Sequence, residues 1–497
     1  MKNLLIAAMF AGGVCAAVEA APTDTVTQAD LQALIQRLNK LEAENKAQAA
    51  RIAELEGASK KAAPAAAQSE AKADKTTEVS ESGKVYTTES GKKYFLADAT
   101  ANIFEPLTES GLQFQPYGYL VLEGVYNTHG TDYPMYTDYV RPRHAPNHAG
   151  RDRSATLSVN DSILGFNLMT PETYAGWKFN GKFEFDLAGA DANHTDFHVR
   201  HLFWNMAHES GWSILFGQTW HLWKMVTPSE IDGAWLENTG YPYRRSPQLR
   251  VTKRWDWEDS SLEARVGLVK NGPGMGGDRD ENGTQDNEQS AWCLFEGALV
   301  YDRDAAWDEG RRWLFGVAGQ YGRDNSHRAS AFDADGNATA FDGREDSYNS
   351  SMIMLAGSIP FAEKFTLCGQ VFAGENLGGV QAGVGQKVAF RDLSRKGREV
   401  TTVGGFADLR YDLNDKWALA VGYGFDNPSL RSSDQVIDTN GDYAGITYND
   451  RSYIDAFYQF NDNLHFGLEY AYLTTDYIDG SDDNDSHRLQ FTVFYDF

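Results

Sequence analysis

The sequence has no hydrophobic run long enough to cross a membrane as a helix. Its longest apolar segment runs from Leu4 to Val18, which is shorter than the roughly 20 residues that a spanning helix needs. Positive charge is also scarce, since 45 Lys and Arg stand against 70 Asp and Glu and give a formal net charge of −25. This balance argues against a nucleic-acid partner, because no basic tract could follow a phosphate backbone.

Cysteine and proline are rare as well. Of the three cysteines, Cys15 lies in the N-terminal apolar segment, which leaves Cys293 and Cys368. We expect these two on non-adjacent strands and on opposite faces, so we expect no disulfide bond between them. The 14 prolines, set against 47 glycines and 13% aromatic residues, suit a chain of many β-strands joined by tight turns.

Three segments are predicted before the main domain. Residues 1–20 have a charged start at Lys2, an apolar core and the sequence Val18-Glu19-Ala20 before Ala21, which predicts a signal peptide cleaved after Ala20. Residues 57–92 are rich in Ala, Lys, Ser and Glu, which predicts a flexible linker. Between them, residues 27–56 carry four heptads and predict an α-helical coiled coil; an isolated amphipathic surface helix is the alternative. Its a and d positions, the predicted oligomerisation contacts, are Leu31, Leu34, Leu38, Leu41, Asn45, Gln48, Ile52 and Leu55.

From about Leu112 onward, apolar residues recur at every second position. In the segment from Trp177 to Leu187, for example, aromatic residues alternate with Lys, Asn, Glu and Asp. This period predicts β-strands with one apolar and one polar face. We count sixteen such strands in a domain predicted over 93–497, near 112–126, 154–169, 176–188, 196–207, 212–223, 247–257, 261–270, 290–302, 311–322, 349–359, 364–374, 399–412, 416–426, 450–460, 464–476 and 486–497.

The connections between these strands alternate between short and long. The long ones include 127–153, 224–246, 271–289, 323–348, 375–398 and 427–449. Aromatic residues flank the short ones: Trp212, Trp257, Trp313, Phe365, Trp417 and Phe460. Short periplasmic turns, long outer loops and an aromatic girdle are typical of outer-membrane barrels. The sequence therefore predicts a 16-stranded antiparallel outer-membrane β-barrel with an N-terminal coiled coil in the periplasm; a soluble β-sandwich is the alternative.

The last strand supports the barrel. In Ser486–Phe497, apolar and polar side chains alternate up to the final aromatic residue. This segment resembles the closing strand of bacterial outer-membrane barrels, and the resemblance implies that Phe497 is an assembly signal.

A barrel of sixteen strands is too wide for side chains to fill, so it predicts an aqueous channel. The long segment 224–246 follows the fifth strand and is rich in apolar and aromatic residues for a surface loop. It is similar to the porin loop that folds inward and narrows the channel, and this similarity implies that Glu230, Asp232 and Glu237 lie on a constriction loop. A lid or a trimer-contact loop is the alternative interpretation.

Basic residues are predicted to line the channel. Strand parity turns six of them toward the interior: Lys178, Lys182, Arg200, Arg250, Arg254 and Arg265. The long segment adds Arg244 and Arg245, and the first long loop adds Arg141, Arg143, Arg151 and Arg153. Such residues would attract small anions. The alternative is that each pairs with a wall acid such as Glu184, Asp186, Asp256 or Glu263 and has a structural role only.

The order of signal peptide, coiled coil, linker and barrel resembles the DcaP-like trimeric outer-membrane porins. The resemblance implies a homotrimer and passive uptake of small anionic solutes, including dicarboxylates. Phosphate-selective porins and an envelope tether that reaches peptidoglycan through the coiled coil are the alternatives. Outer-membrane lipid and lipopolysaccharide are the other expected partners. We expect no enzyme activity, cofactor or metal, because no convincing Ser/His pair or calcium-loop spacing is present.

Overall fold

The computed structural model describes 79–80, 83–87, 93–97 and 113–497, without 144–149, 171–173, 189–194, 272–292, 306, 333–337, 392–394, 439–444 and 481–483. The predicted signal peptide and coiled coil lie outside the described residues and stay predictions. No helix in the described part of the chain is long and apolar enough to span a membrane.

A small sheet forms near the N-terminus. Its strands are β1 (Val79–Ser80), β2 (Gly83–Thr87) and β3 (Lys93–Ala97), in the order β1-β2-β3. The first two lie within the segment predicted as a linker.

Most of the other described residues form a closed antiparallel barrel of sixteen strands. Two segments, β5 and β6, pair with opposite ends of β4, so they are two halves of one barrel strand. The barrel segments are β4 (Gln113–Asn127), β5 (Ser154–Ser158), β6 (Ile163–Met169), β7 (Trp177–Ala188), β8 (Thr195–His208), β9 (Trp212–Trp220), β10 (Arg245–Asp256), β11 (Ser260–Val269), β12 (Leu294–Ala305), β13 (Asp308–Phe332), β14 (Ala338–Ala362), β15 (Phe365–Glu375), β18 (Thr401–Asn414), β19 (Trp417–Pro428), β21 (Ile446–Gln459), β22 (Leu464–Tyr477) and β23 (Asp485–Asp496).

The barrel is apolar outside and polar inside. On β22 the side chains of Leu468 and Tyr470 are 43% and 45% exposed, whereas Glu469 between them is fully buried. The same alternation on β23 exposes Leu489 and Phe491 and buries Gln490. A soluble protein places these residue types the other way round, so the outer surface is suited to contact with lipid.

The C-terminal strand closes the barrel as predicted. Strand β23 pairs with β4 from Arg488 opposite Asn127 to Asp496 opposite Tyr119. The terminal Phe497 continues this ladder, because its N–H donates to the carbonyl of Gly118 over 3.0 Å. Every barrel strand therefore has two neighbours, which leaves no edge with unpaired backbone groups.

The prediction of a long loop over 323–348 is wrong. Strands β13 and β14 continue through most of this segment as one long hairpin, pairing to Phe332 opposite Ala338. A second sheet lies at the long-loop end of the barrel, in the order β17-β16-β20. Its strands are β16 (Gln386–Phe390), β17 (Arg398–Glu399) and β20 (Gln435–Asp438).

The two cysteines left after the N-terminal segment are both free. Cys293 is exposed and Cys368 is buried, so the predicted absence of a disulfide between them agrees with the structure.

Candidate functional site

The segment between β9 and β10, residues 221–244, turns into the barrel, and we call it the inserted loop. Its first residues are held by the wall of β12 and β13. His221 hydrogen-bonds Ser246 through Nε2 at 2.9 Å, and its Nδ1 contacts Glu296 at 2.5 Å. The indole N–H of Trp223 donates to Glu296 at 3.2 Å and to Gln320 at 3.1 Å. The chain therefore leaves the barrel wall at His221, earlier than the predicted strand end at 223.

The inserted loop then crosses to the opposite wall. The backbone N–H groups of Ser229, Ile231 and Asp232 donate to the carboxylates of Asp408, Asp455 and Glu469, at 2.7, 3.1 and 3.3 Å. These acids lie on β18, β21 and β22, which stand on the far side of the barrel from β9 and β10 in the strand order. Buried backbone N–H groups need acceptors, so the wall acids fix the path of the loop.

Close approach between the loop and the wall depends on glycine at two positions. Gly424 on β19 has the carbonyl of Thr239 only 2.1 Å from where a Cβ would stand. Gly240 has φ +108°, and its missing Cβ would lie 2.2 Å from the carbonyl of Gly405. A side chain at either position would push the loop away from the wall.

Two of the three predicted loop acids form ion pairs with buried arginines. Arg451 on β21 contacts Asp232 at 2.7 Å, Glu230 at 3.0 Å and Glu469 at 2.5 Å. Arg488 on β23 reaches Asp232 at 3.1 Å. All five side chains are at most 1% exposed, and buried charges persist only when they are paired.

Sequence reasoning missed Arg451 and Arg488 as partners of the loop. Strand parity places Arg488 on the polar face of the last strand, and the same parity would have found Arg451. It does not reveal that the two strands face the inserted loop. The third acid, Glu237, is separate: burial, with Asp138 nearby, raises the pKa of its carboxyl well above the ordinary value.

The basic residues predicted for the wall fall into two groups. The first group is paired with acids. On the β7–β8 wall, Lys182 lies 3.2 Å from Glu184, and Arg200 contacts Glu184 at 2.8 Å and Asp186 at 2.7 Å.

Farther around the barrel, Arg254 contacts Asp256 at 2.6 Å and Arg265 contacts Glu263. Arg254, Arg265, Lys182 and Arg200 therefore pair with wall acids, as the alternative interpretation of the sequence predicts.

A β-bulge at Arg200 turns two successive side chains toward the interior. Glu184 pairs with His201 and Phe185 pairs with Val199, which leaves Arg200 without a partner in the ladder. An extra residue in one strand re-aims the side chains around it. As a result Arg200 and its neighbour His201 both contact Glu184, which simple alternation does not predict.

The second group has no carboxylate within ion-pair distance in the described part of the chain, and we call its members the acid-free basic residues. Among the described residues, no carboxylate oxygen lies within 4.0 Å of a side-chain nitrogen of Lys224, Arg244, Arg245 or Arg250. Arg250 donates instead to the carbonyl of Trp220 at 2.6 Å and to the Oε1 of Gln248 at 2.8 Å. Lys224 and Arg245 lie over aromatic rings. Burial and the neighbouring Arg245 lower the pKa of Lys224 to about 8.

The remaining predicted basic residues lie away from the inserted loop. Lys178 is exposed at the start of β7. In the first long loop, Arg143 contacts Asp485 at 2.6 Å, Arg141 donates to the carbonyl of Asp132, and Arg151 donates to the carbonyl of Arg143. Arg153 is exposed. The structure therefore does not bring these residues together with Arg245 or Arg250.

A cavity of about 530 Å³ lies between the inserted loop and the wall of β10–β15. The loop contributes Met225, Val226 and Thr227, and the wall contributes Arg254, Arg265 and Arg312 together with Glu263 and Asp302. This open space inside the barrel is lined by ion pairs.

The barrel fold is also found in solved structures. The outer-membrane channel DcaP of Acinetobacter baumannii superposes with a TM-score of 0.57 at 17% sequence identity, over 78% of this chain and 98% of that one. This chain has the fold of an outer-membrane porin.

Two further solved porin structures are less similar to this chain. OprB of Pseudomonas putida has a TM-score of 0.48 at 10% identity, covering 81% of this chain and 98% of that one. The anion-selective porin from Comamonas acidovorans has a TM-score of 0.46 at 9% identity, covering 78% and 100%. No protein-family model matches the sequence, and no curated protein matches it significantly. The predicted resemblance to DcaP-like porins is thus confirmed for the fold.

Proposed function

We propose that this chain forms a water-filled channel in the bacterial outer membrane. Small anionic solutes, dicarboxylates among them, would diffuse through it passively, past the inserted loop as the constriction. The apolar outer surface and the porin fold support the location and the channel. We also propose a coiled coil that extends into the periplasm, as the heptads from Leu31 to Leu55 predict, and a homotrimer, as the resemblance to DcaP-like porins implies.

One observation carries the preference for anions. The acids Glu230 and Asp232 of the inserted loop, together with Glu469, are paired with Arg451 and Arg488. The acid-free basic residues Lys224, Arg244, Arg245 and Arg250 lie at the ends of the loop and on the adjoining strand. In a confined aqueous space with low-dielectric walls, charge that is not held in a close ion pair contributes strongly to the potential that an ion meets. The field beside the loop is therefore expected to be positive.

The paired residues contribute less to this field. Arg200, Lys182, Arg254 and Arg265 each have a carboxylate within 4.0 Å, and the opposite charges largely cancel at the distance of a passing ion. The selectivity is accordingly expected to depend on four residues rather than on the whole set predicted from the sequence.

Substitution of one unpaired arginine tests the proposal. We expect Arg250→Gln to lower the chloride-to-potassium permeability ratio at least about twofold, because it removes one uncompensated charge from a confined channel. The measurement is the reversal potential of the purified protein in a planar bilayer under a KCl gradient.

The matched control is Arg303→Gln, which changes the net charge equally. Arg303 is 58% exposed and pairs with Asp259 near a short turn, away from the interior of the barrel. Equal shifts in the two variants, or no shift in Arg250→Gln, would show that the acid-free basic residues do not set the selectivity.

A further inference from the structure

Three aromatic side chains meet beside the acid-free basic residues, and we call them the aromatic box: Trp220, Trp235 and Tyr243. Trp220 ends β9, and the other two belong to the inserted loop. The ring of Tyr243 lies 4.7 Å from that of Trp220 and 5.5 Å from that of Trp235, at interplanar angles of 65° and 77°. The two indoles are 6.2 Å apart and tilted by 41°.

The three rings of the box are not stacked in parallel on one another. Tyr243 meets both indoles edge to face, so the three rings are not stacked on one another. All three side chains are half-buried rather than sealed in the core. Their exposed parts are where a flat ligand would lie, in the offset or edge-on arrangements that aromatic rings prefer.

Two cations lie over the box. The Nζ of Lys224 is 4.3 Å from the ring centre of Trp220 and 5.0 Å from that of Trp235. The guanidinium carbon of Arg245 is 4.5 Å from the centre of Trp220 and 5.4 Å from that of Tyr243. A cation held by a ring face keeps N–H donors that a carboxylate would otherwise occupy.

Unused donors are indeed present. The Nη1 of Arg245 is buried and has no hydrogen-bond partner among the residues that the structure describes. The ammonium group of Lys224 donates to the hydroxyl of Thr227 at 3.2 Å, and an ammonium group can make three such bonds. An anion between these two side chains would satisfy donors that the protein leaves unmet.

The backbone holds Trp235 in an unusual conformation. Its φ is +47°, and that of Leu236 is +60°, in the left-handed region that large side chains avoid. Hydrogen bonds from the Trp235 N–H to Asp232 and from the Glu237 N–H to Ala234 stabilise this turn. Asp232 is itself bound by Arg451, so the ionic contacts at the far wall also orient the indole.

We propose that the aromatic box is a binding subsite for carboxylates that carry an aromatic ring, with benzoate as the simplest member. The carboxylate would lie between Lys224 and Arg245, and its ring would lie against the indole of Trp235. This inference rests on the proposed anion channel and specifies one class of anion that it recognises.

A comparison of two anions of similar size tests the subsite. Benzoate and cyclohexanecarboxylate have the same charge and similar volume, but only benzoate has a π face. We expect the concentration of benzoate that blocks half of the chloride current to be about fivefold lower than that of cyclohexanecarboxylate, because benzoate makes one additional aromatic contact. Equal half-block concentrations would overturn the proposal.

Variants locate the effect. Trp235→Leu keeps an apolar side chain and the net charge, and we expect it to bring the ratio of half-block concentrations close to one. The control Trp257→Leu, at an exposed position beside a short turn, should keep the full ratio. A ratio unchanged in Trp235→Leu would contradict the assignment.

The two proposals fail in different ways. A channel that prefers cations, or no channel, refutes the proposed function. In that case, calorimetric titration of the detergent-solubilised full-length protein with the same two anions still decides the subsite. Tighter binding of benzoate that is lost in Trp235→Leu supports it, and equal binding of both anions overturns it.

Discussion

At the scale of single residues, basic side chains that look equivalent in the sequence differ in whether a carboxylate pairs with them. Arg250 and Arg254 lie on the same face of β10, yet only Arg254 has a carboxylate partner. The partners come from other strands or from positions two residues away, and they depend on side-chain geometry as well as on parity. The sequence predicted which residues face the interior better than it predicted which of them remain uncompensated.

The charge of Lys224 should make the chloride preference depend on pH. Burial first, and then the nearby Arg245 and Arg200, lower the pKa of Lys224 to about 8. Its charged form is lost as the pH rises through this value, so the chloride preference should fall between pH 7 and pH 9. Reversal potentials measured at these two pH values check the prediction.

Two variants isolate Lys224 from other titrating groups. Lys224→Met should lower the chloride preference at pH 7 and remove most of the change between pH 7 and pH 9. Arg250→Gln should keep that change, because an arginine does not titrate in this range. A full pH response in Lys224→Met would assign it to another group.

At the scale of elements, the inserted loop is fixed at both walls. His221 and Trp223 attach its start to β12 and β13, and Arg451 and Arg488 attach its middle to β21 and β23. These hydrogen bonds and ion pairs hold the loop in place inside the barrel.

Removal of the central arginine should release the loop. Arg451→Met would leave Glu230, Asp232 and Glu469 buried without their main counter-charge, a change that costs about 3–5 kcal/mol. We expect the barrel to persist, because its ladder is unchanged, and the loop to leave the far wall. Single-channel recordings should then show a larger and noisier open current.

Arg303→Met is the matched control for this variant. It breaks an exposed ion pair, which is worth about 0–1 kcal/mol, and it should leave the current as in the unchanged protein. An unaltered current in Arg451→Met would mean that the loop does not limit the flow.

The elements also show which parts of the fold the sequence predicts. Period-2 alternation located all sixteen strands, because one face of each contacts an apolar exterior and the other a polar interior. The extension of β13 and β14 through 323–348 was missed because alternation weakens where a hairpin leaves the barrel. The far-wall anchor was missed because Arg451 and Asp232 are 219 positions apart in the chain.

At the scale of the whole molecule, the barrel reverses the usual distribution of polarity. Exposed Leu, Phe and Tyr cover the outside, while carboxylates, arginines and glutamines line the inside. Closure of β23 on β4 completes the ladder, and the inserted loop then divides the interior. The loop meets acids paired with arginines at the far wall, and the acid-free basic residues lie at its ends and on β10.

The reversal potential of single channels under a KCl gradient tests this account most directly. The purified protein is inserted into a planar bilayer, and the sign of the potential is read from stepwise openings. The account predicts discrete openings that prefer chloride to potassium. A preference for potassium, or no openings from folded protein, would contradict it.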